Sequence, residues 1–329
     1  MILSTLALLL VVAGCSEEQK PAAEASGLTQ VTFRLDWIVD ITHACFYAAL
    51  SNGYFRDEGI DMQFLEGAGS SSTASLVANG SNDFGWVDTS VLIRSVNDGA
   101  PIKLVAAGFQ RTPGAVISLK SKGINAPEDL VGKTVGAISG EAPLQLLDAY
   151  LSASGLNIKD VKVTTMDPAA KVPALLTGRV DAVVGYHTSE PLLVESQKPG
   201  ESTTLRYADK GIVAMSNGIV ANQQVIDEKP DVVKRVVRAI QRGFDYCKKD
   251  PNGAAEKLAD RFPQSVNLDR AKAAVPDVTS LLHTDRTAGK PVGSIDRQDV
   301  ANTLQTMQRY MGLREAKAPE HYYVDKFVS

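Results

Sequence analysis

Asp36 and Trp37 close an alternating run, Val31, Phe33, Leu35, Trp37, and His43 opens the helix-like stretch that follows. An indole at the mouth of a cleft can stack on a flat ring, and a carboxylate beside it can accept from ring amino groups. The competing reading of Trp37 is a half-buried core residue. His43 sits where a partly positive helix start favours a neutral imidazole, able to donate or accept, or simply to begin the helix. Ser70, Ser71, Ser72, Thr73, Asp88, Thr89, Ser139, Gly140, Tyr186, His187 and Glu190 fall after other strand-like runs. Hydroxyls and free N–H groups at helix starts hold polar groups, although serine is also an ordinary cap. The carboxylates Asp36, Asp88 and Glu190 weigh against a fully charged anion and favour an aminated heterocycle.

Catalytic patterns are missing. No Ser-His-Asp, paired-acid or phosphate-loop constellation is visible, so catalysis is not expected. The four histidines, His43, His187, His283 and His321, are dispersed and no paired-cysteine spacing occurs, so neither a metal nor any other cofactor is expected. Cys45 and Cys247 lie in apolar, helix-like segments, where a free cysteine packs as a small hydrophobe; a disulfide between them is the alternative.

The elements that must carry these residues alternate. A strand over 31–37 leads to a helix over 42–52 stopped by Gly53, a strand over 60–64, a small-residue loop over 67–72 and a helix over 73–79. Strands over 83–87 and 102–107 flank a further helix, and the break at 108–114 reads as a crossing between lobes. Beyond it come strands over 115–119, 134–138, 161–166 and 180–185, with helices over 143–153 and 169–176. Such alternation implies an α/β architecture with mostly parallel pairing, in which ligands sit at the carboxyl ends of strands. From Pro230 the pattern is helical: Val232, Val233, Val236, Val237, Ile240 and Phe244 share one face, while Lys234, Arg235, Arg238 and Arg242 take a solvated one. Val300, Leu304, Met307 and Met311 read as core.

With 329 residues, 44% hydrophobic and 22% charged content and a net charge of -4, the chain is an ordinary globular protein with no polybasic run for nucleic acid. Its first residues differ from the rest. The apolar run from Ile2 to Val11 is too short to span a bilayer, and it meets Val12-Ala13-Gly14-Cys15. Residues 1–14 therefore read as a lipoprotein signal, Cys15 as the acylated residue and 15–28 as a tether, although no Lys or Arg precedes the run. The expected location is the cell envelope, with the membrane reached through the lipid anchor alone. The roughly 300 residues that remain exceed what one core usually organises, which favours two lobes.

The segment from Leu35 to Asp61, with Asp36-Trp37, His43, Gly53-Tyr54-Phe55 and Asp57-Glu58-Gly59-Ile60, resembles the start of ABC-importer substrate-binding proteins for sulfonates, nitrate, taurine or thiamine-pyrimidine precursors. The pyrimidine-precursor branch is the most similar. Asn82 to Thr89 and Val172 to Ala182 extend the likeness over most of the chain. A departure lies at Val39-Asp40, where that branch tends to carry Pro-Asn, so a charge replaces an amide.

The resemblance implies a type II periplasmic-binding-protein fold: two α/β lobes joined by two hinge crossings, lobe 1 from 29–110 plus 220–329 and lobe 2 from 111–219. It further implies a monomer that captures a small molecule between the lobes and passes it to an ABC permease with its ATPase. A glutamate near Glu190 contacts ligand in the pyrimidine branch, although here it could equally cap the helix ahead of Pro191. Sulfonate, taurine, nitrate or riboflavin are alternative solutes, and a lipid-anchored sensor is an alternative role. Fungal pyrimidine synthases share the fold but carry a Cys-Cys-Cys-Phe-Cys run that this chain lacks.

Overall fold

The computed structural model describes residues 27–329. The signal, Cys15 and most of the tether lie outside the described residues.

Among the described residues, ten strands form two five-stranded sheets. Up to the first crossing the chain runs β1 (Thr29–Arg34), α1 (Ala44–Ser51), α2 (Tyr54–Asp57), β2 (Ile60–Leu65), α3 (Ser70–Ala78), β3 (Phe84–Asp88), α4 (Thr89–Asn97) and β4 (Ile102–Ala107). Next come β5 (Gly114–Leu119), β6 (Thr134–Ala137), α5 (Ala142–Ala153), β7 (Lys162–Thr165), α6 (Lys171–Leu176), β8 (Ala182–Tyr186), α7 (Glu190–Gln197) and β9 (Ser202–Arg206). The chain then returns through β10 (Asn217–Asn222) to α8 (Gln223–Glu228), α9 (Pro230–Lys249), α10 (Pro251–Arg261), α11 (Leu268–Ser280) and α12 (Arg297–Tyr310).

The first sheet has the order β2-β1-β3-β10-β4 and the second β7-β6-β8-β5-β9. Each combines a parallel half with an antiparallel one, so the expectation of mostly parallel pairing is corrected. β1 pairs in parallel with β2 and β3, and β6 with β7 and β8, as strands linked through helical crossovers do. β10 and β5, which follow the crossings, enter their sheets from the other end and pair antiparallel with both neighbours. Since β10 is one continuous strand of the first sheet, a boundary at 219/220 would cut through it.

On one face of the first sheet an aromatic core forms. Phe46 stacks edge-on against Trp86 at 4.9 Å, and Trp86 against Phe109 at 5.2 Å. Gly108 permits this, because a Cβ there would lie 1.8 Å from the Trp86 ring. α9 buries Val233, Val236, Val237, Ile240 and Phe244 against that core. Its basic face is held by acids and carbonyls: Arg238 pairs with Glu58 at 2.6 Å, Arg242 with Asp57 at 2.8 Å, and Arg235 donates to the Glu58 carbonyl. Cys45 and Cys247 are joined in a disulfide between α1 and α9, which settles the two alternatives for them. A second core, including Leu146, Leu147, Leu304 and Met307, runs continuously between the sheets. No helix among the described residues is long and apolar enough to cross a membrane.

Candidate functional site: a cleft walled by both sheets

The carboxyl ends of β1 and β8 face each other across a cleft lined by Asp36, Trp37, Asp40, Ser70, Lys171 and Glu190 among others. Trp37 is half-buried, with its ring open to the cleft, whereas Trp86 is the core tryptophan. α3 starts at Ser70, three residues earlier than the sequence pattern indicates. Gly69 caps it at φ 107°, a conformation side chains resist, and so lets the chain turn there. Its first turn therefore points into the cleft, with Ser71 N–H 3.4 Å from the Gly140 carbonyl on the opposite side.

On the side of the second sheet, Glu190 opens α7 and folds back over Gly185, where any Cβ would lie 2.3 Å from its carboxyl carbon. Its Oε2 accepts from Tyr186 N–H at 2.8 Å and from Ser189 Oγ at 2.7 Å. Glu190 is thus both a local cap and a cleft residue. Its other oxygen meets the Lys171 ammonium at 2.8 Å, and Glu141 Oε2 meets the same ammonium at 2.9 Å. Burial opposes the Lys171 charge, but the two carboxylates outweigh it and hold the ammonium above the ordinary lysine range. For Glu141, burial dominates over Lys171 and pushes its carboxyl up. The Lys171 ammonium lies 5.3 Å from the centre of the Trp37 ring, so the two sides of the cleft already touch through a cation and an indole.

His43 is completely buried behind the cleft wall. Nε2 lies 3.1 Å from Asp36 Oδ1, and Nδ1 is 3.2 Å from the Asp40 amide and 3.3 Å from Asp40 Oδ1. Burial works against a charged ring, yet Asp36 and Asp40 overcome it and raise its pKa to about 9. The ring holds Asp36 in place through Nε2, while Nδ1 faces the Asp40 amide and carboxylate. The other Asp36 oxygen accepts from Asn217 Nδ2 at 2.8 Å, and Asn217 Oδ1 accepts from the Tyr186 hydroxyl at 2.8 Å. This chain of bonds joins β1, the second crossing and β8.

Among the residues singled out in the sequence, Asp36, Trp37, Ser70, Tyr186 and Glu190 line the cleft together. Ser71 and Gly140 meet at its lip, while Ser72 and Ser139 are exposed outside it. Thr73 donates its hydroxyl to the Leu35 carbonyl, and Thr89 donates to the Ser216 carbonyl. Asp88 is fully buried, caps α4 through Ser90 and accepts from Ser216; burial raises its carboxyl. His187 does not line the cleft, and its Nδ1 has no hydrogen-bond partner among the described residues. Sequence reasoning missed Lys171, Glu141, Asp40, Thr42 and Ser189 as cleft residues. A substitution that turned an amide into a charge pointed to Asp40, whereas Lys171 at a helix start gave no signal. No cluster suited to a metal ion occurs among the described residues.

Two mixed sheets enclosing a polar cleft define the periplasmic-binding-protein fold. The alkanesulfonate-binding protein SsuA of Xanthomonas axonopodis pv. citri, solved bound to MOPS, superposes with a TM-score of 0.69 at 16% identity, over 90% of this chain and 96% of that one. Residues 40–254 match the family described as NMT1/THI5 like, and the chain belongs to that family. Its relatives include the riboflavin-binding protein RibY of Chloroflexus aurantiacus, 28% identical over 92% of this chain and 86% of that protein. The formylaminopyrimidine-binding protein of Halalkalibacterium halodurans is 25% identical over 78% and 77%. The 4-amino-5-hydroxymethyl-2-methylpyrimidine phosphate synthase of Legionella pneumophila is 28% identical over 74% and 77%.

Proposed function

We propose that this protein is the solute-binding component of an ABC importer. In this reading it holds a small aminated heterocycle, of the thiamine-pyrimidine precursor class, between two lobes and delivers it, outside the cytoplasm, to a membrane permease that works with an ATPase. The observation that carries the proposal is Trp37: a half-buried indole opening into a cleft framed by carboxylates from both sheets. A flat ring stacked there would present its amino groups to the carboxylates that frame the cleft. Likeness to a formylaminopyrimidine-binding protein supports the ligand class. Lobe 1 would comprise the first sheet with residues on both sides of the insertion, and lobe 2 the second sheet. Ligand that touches both lobes stabilises the closed form, and closure presents one surface to the permease.

A thermal-shift screen against aminopyrimidines, flavins, taurine, alkanesulfonates and nitrate tests the reading, because a ligand of the native state raises the melting temperature. The expected result is a shift with an aminopyrimidine, with affinity falling about tenfold or more in Trp37→Ala as the stacking area is lost. A shift with sulfonates alone would overturn the cargo and leave the importer role; a shift with flavins alone would favour a riboflavin-type solute. The likeness to the Legionella synthase gives catalysis in the same cleft as the second reading. Chemical change in a bound pyrimidine, followed by mass spectrometry, would favour it over transport.

A further inference from the structure

Each side of the cleft sets a basic side chain between two carboxylates: Asp36, His43 and Asp40 on one, Glu141, Lys171 and Glu190 on the other. Most of their oxygens are already occupied. Asp36 gives one to His43 and one to Asn217. Glu190 gives one to Lys171 and one to Tyr186 and Ser189. Glu141 gives one to Lys171 and one to the Ile138 amide. Asp40 is different. Its Oδ1 takes the Thr42 amide and hydroxyl and faces His43 Nδ1, while its Oδ2 accepts no hydrogen bond among the described residues. Asp40 lines the cleft with 28% of its side chain exposed, so that free oxygen is open to a ligand.

We infer that Asp40 is the specificity-determining residue of the cleft. In this inference, which rests on the reading of the site as a heterocycle binder, its free Oδ2 accepts from the amino edge of a ring stacked on Trp37. A carboxylate offers only acceptors, so it holds an exocyclic amine and repels a carbonyl at the same ring position. Desolvated within the closed cleft, an unmatched carbonyl facing that oxygen would cost far more than a missing contact. The selected class is a neutral or protonated amino-heterocycle, with its oxo counterpart excluded.

Asp40→Asn tests this without removing the local fold, since asparagine caps as well as aspartate and still accepts from the Thr42 amide. Affinities of the full chain for 4-amino-2-methylpyrimidine and 2-methylpyrimidin-4-one, measured by calorimetry in wild type and variant, give the readout. The expected wild type prefers the amino compound by about a hundredfold, and the variant narrows that ratio by about tenfold or more because its amide donates to the carbonyl. A variant that lowers both affinities equally, or changes neither, would overturn the role of Asp40 while leaving the heterocycle site standing. Wild type that binds neither compound but does bind another solute would overturn the heterocycle reading and the inference together.

Discussion

At the scale of single residues, the cleft depends on charges that would be costly alone. Lys171 is 3% exposed and satisfies two buried carboxylates, so Lys171→Met leaves Glu141 and Glu190 uncompensated. Breaking such a pair from one side typically costs about 3–5 kcal/mol. Urea denaturation at neutral pH should show a loss of that order, partly recovered in mild acid as the stranded carboxylates take up a proton. His43 gives a pH dependence of known sign. Its pKa rises from 6.5 to about 9 in the folded protein, where burial is outweighed by Asp36 and Asp40. A raised pKa stabilises fully below the unfolded value and ceases to do so as pH climbs through the folded one. Stability should therefore fall between pH 6.5 and 9, and His43→Gln should flatten that part of the profile. A steeper fall in the variant would show that another group controls the window.

Elements fix where those residues can stand. α1 and α9 carry neighbouring parts of the aromatic core and are tied by the disulfide across a sequence separation of 202. Such a bond constrains the unfolded chain, and its removal typically costs about 2–5 kcal/mol. Cys45→Ser together with Cys247→Ser should lower the denaturation midpoint accordingly, with reductant lowering that of the wild type alone. The same elements were largely legible in sequence. Alternation marks β1 and β2, an apolar run marks β4, and an apolar stripe with a proline at its start marks α9. β9 and β10 escaped notice: Ser202–Arg206 is a short polar edge strand, and Asn217–Asn222 owes its place to the neighbours on either side. α3 was placed late because the seryl run Ser70 to Ser72 reads as loop until Gly69 is seen turning the chain at its start.

Over the whole molecule, the two sheets approach each other at their strand ends. A Cβ on Gly69 would stand 3.2 Å from the Gly140 carbonyl across the cleft, and one on Gly140 would stand 3.1 Å from Ser71. Backbone meets backbone at this lip, so under the proposed two-lobe closure Gly69→Val should hinder closing and abolish the expected ligand-induced decrease in radius of gyration, measured by small-angle scattering. Gly80→Ala provides the control, because Gly80 also has a left-handed φ but nothing lies within 4 Å of its Cβ position. Full compaction in Gly69→Val would show that the lip does not limit closure.

From the sequence alone came the α/β class, the crossing after the fourth strand, the family and the placement of Asp36, Trp37 and Glu190 at strand ends, because periodicity and local motifs are properties of neighbouring residues. Tertiary structure alone decided the rest. Lys171 meets Glu141 and Glu190 only when separate segments of the second sheet converge, and Cys45 meets Cys247 only when α9 returns to α1. His43 becomes a clamp instead of a cleft residue because burial and two carboxylates act on it at once. Charge compensation is set by distance and desolvation, and neither is written in the order of residues.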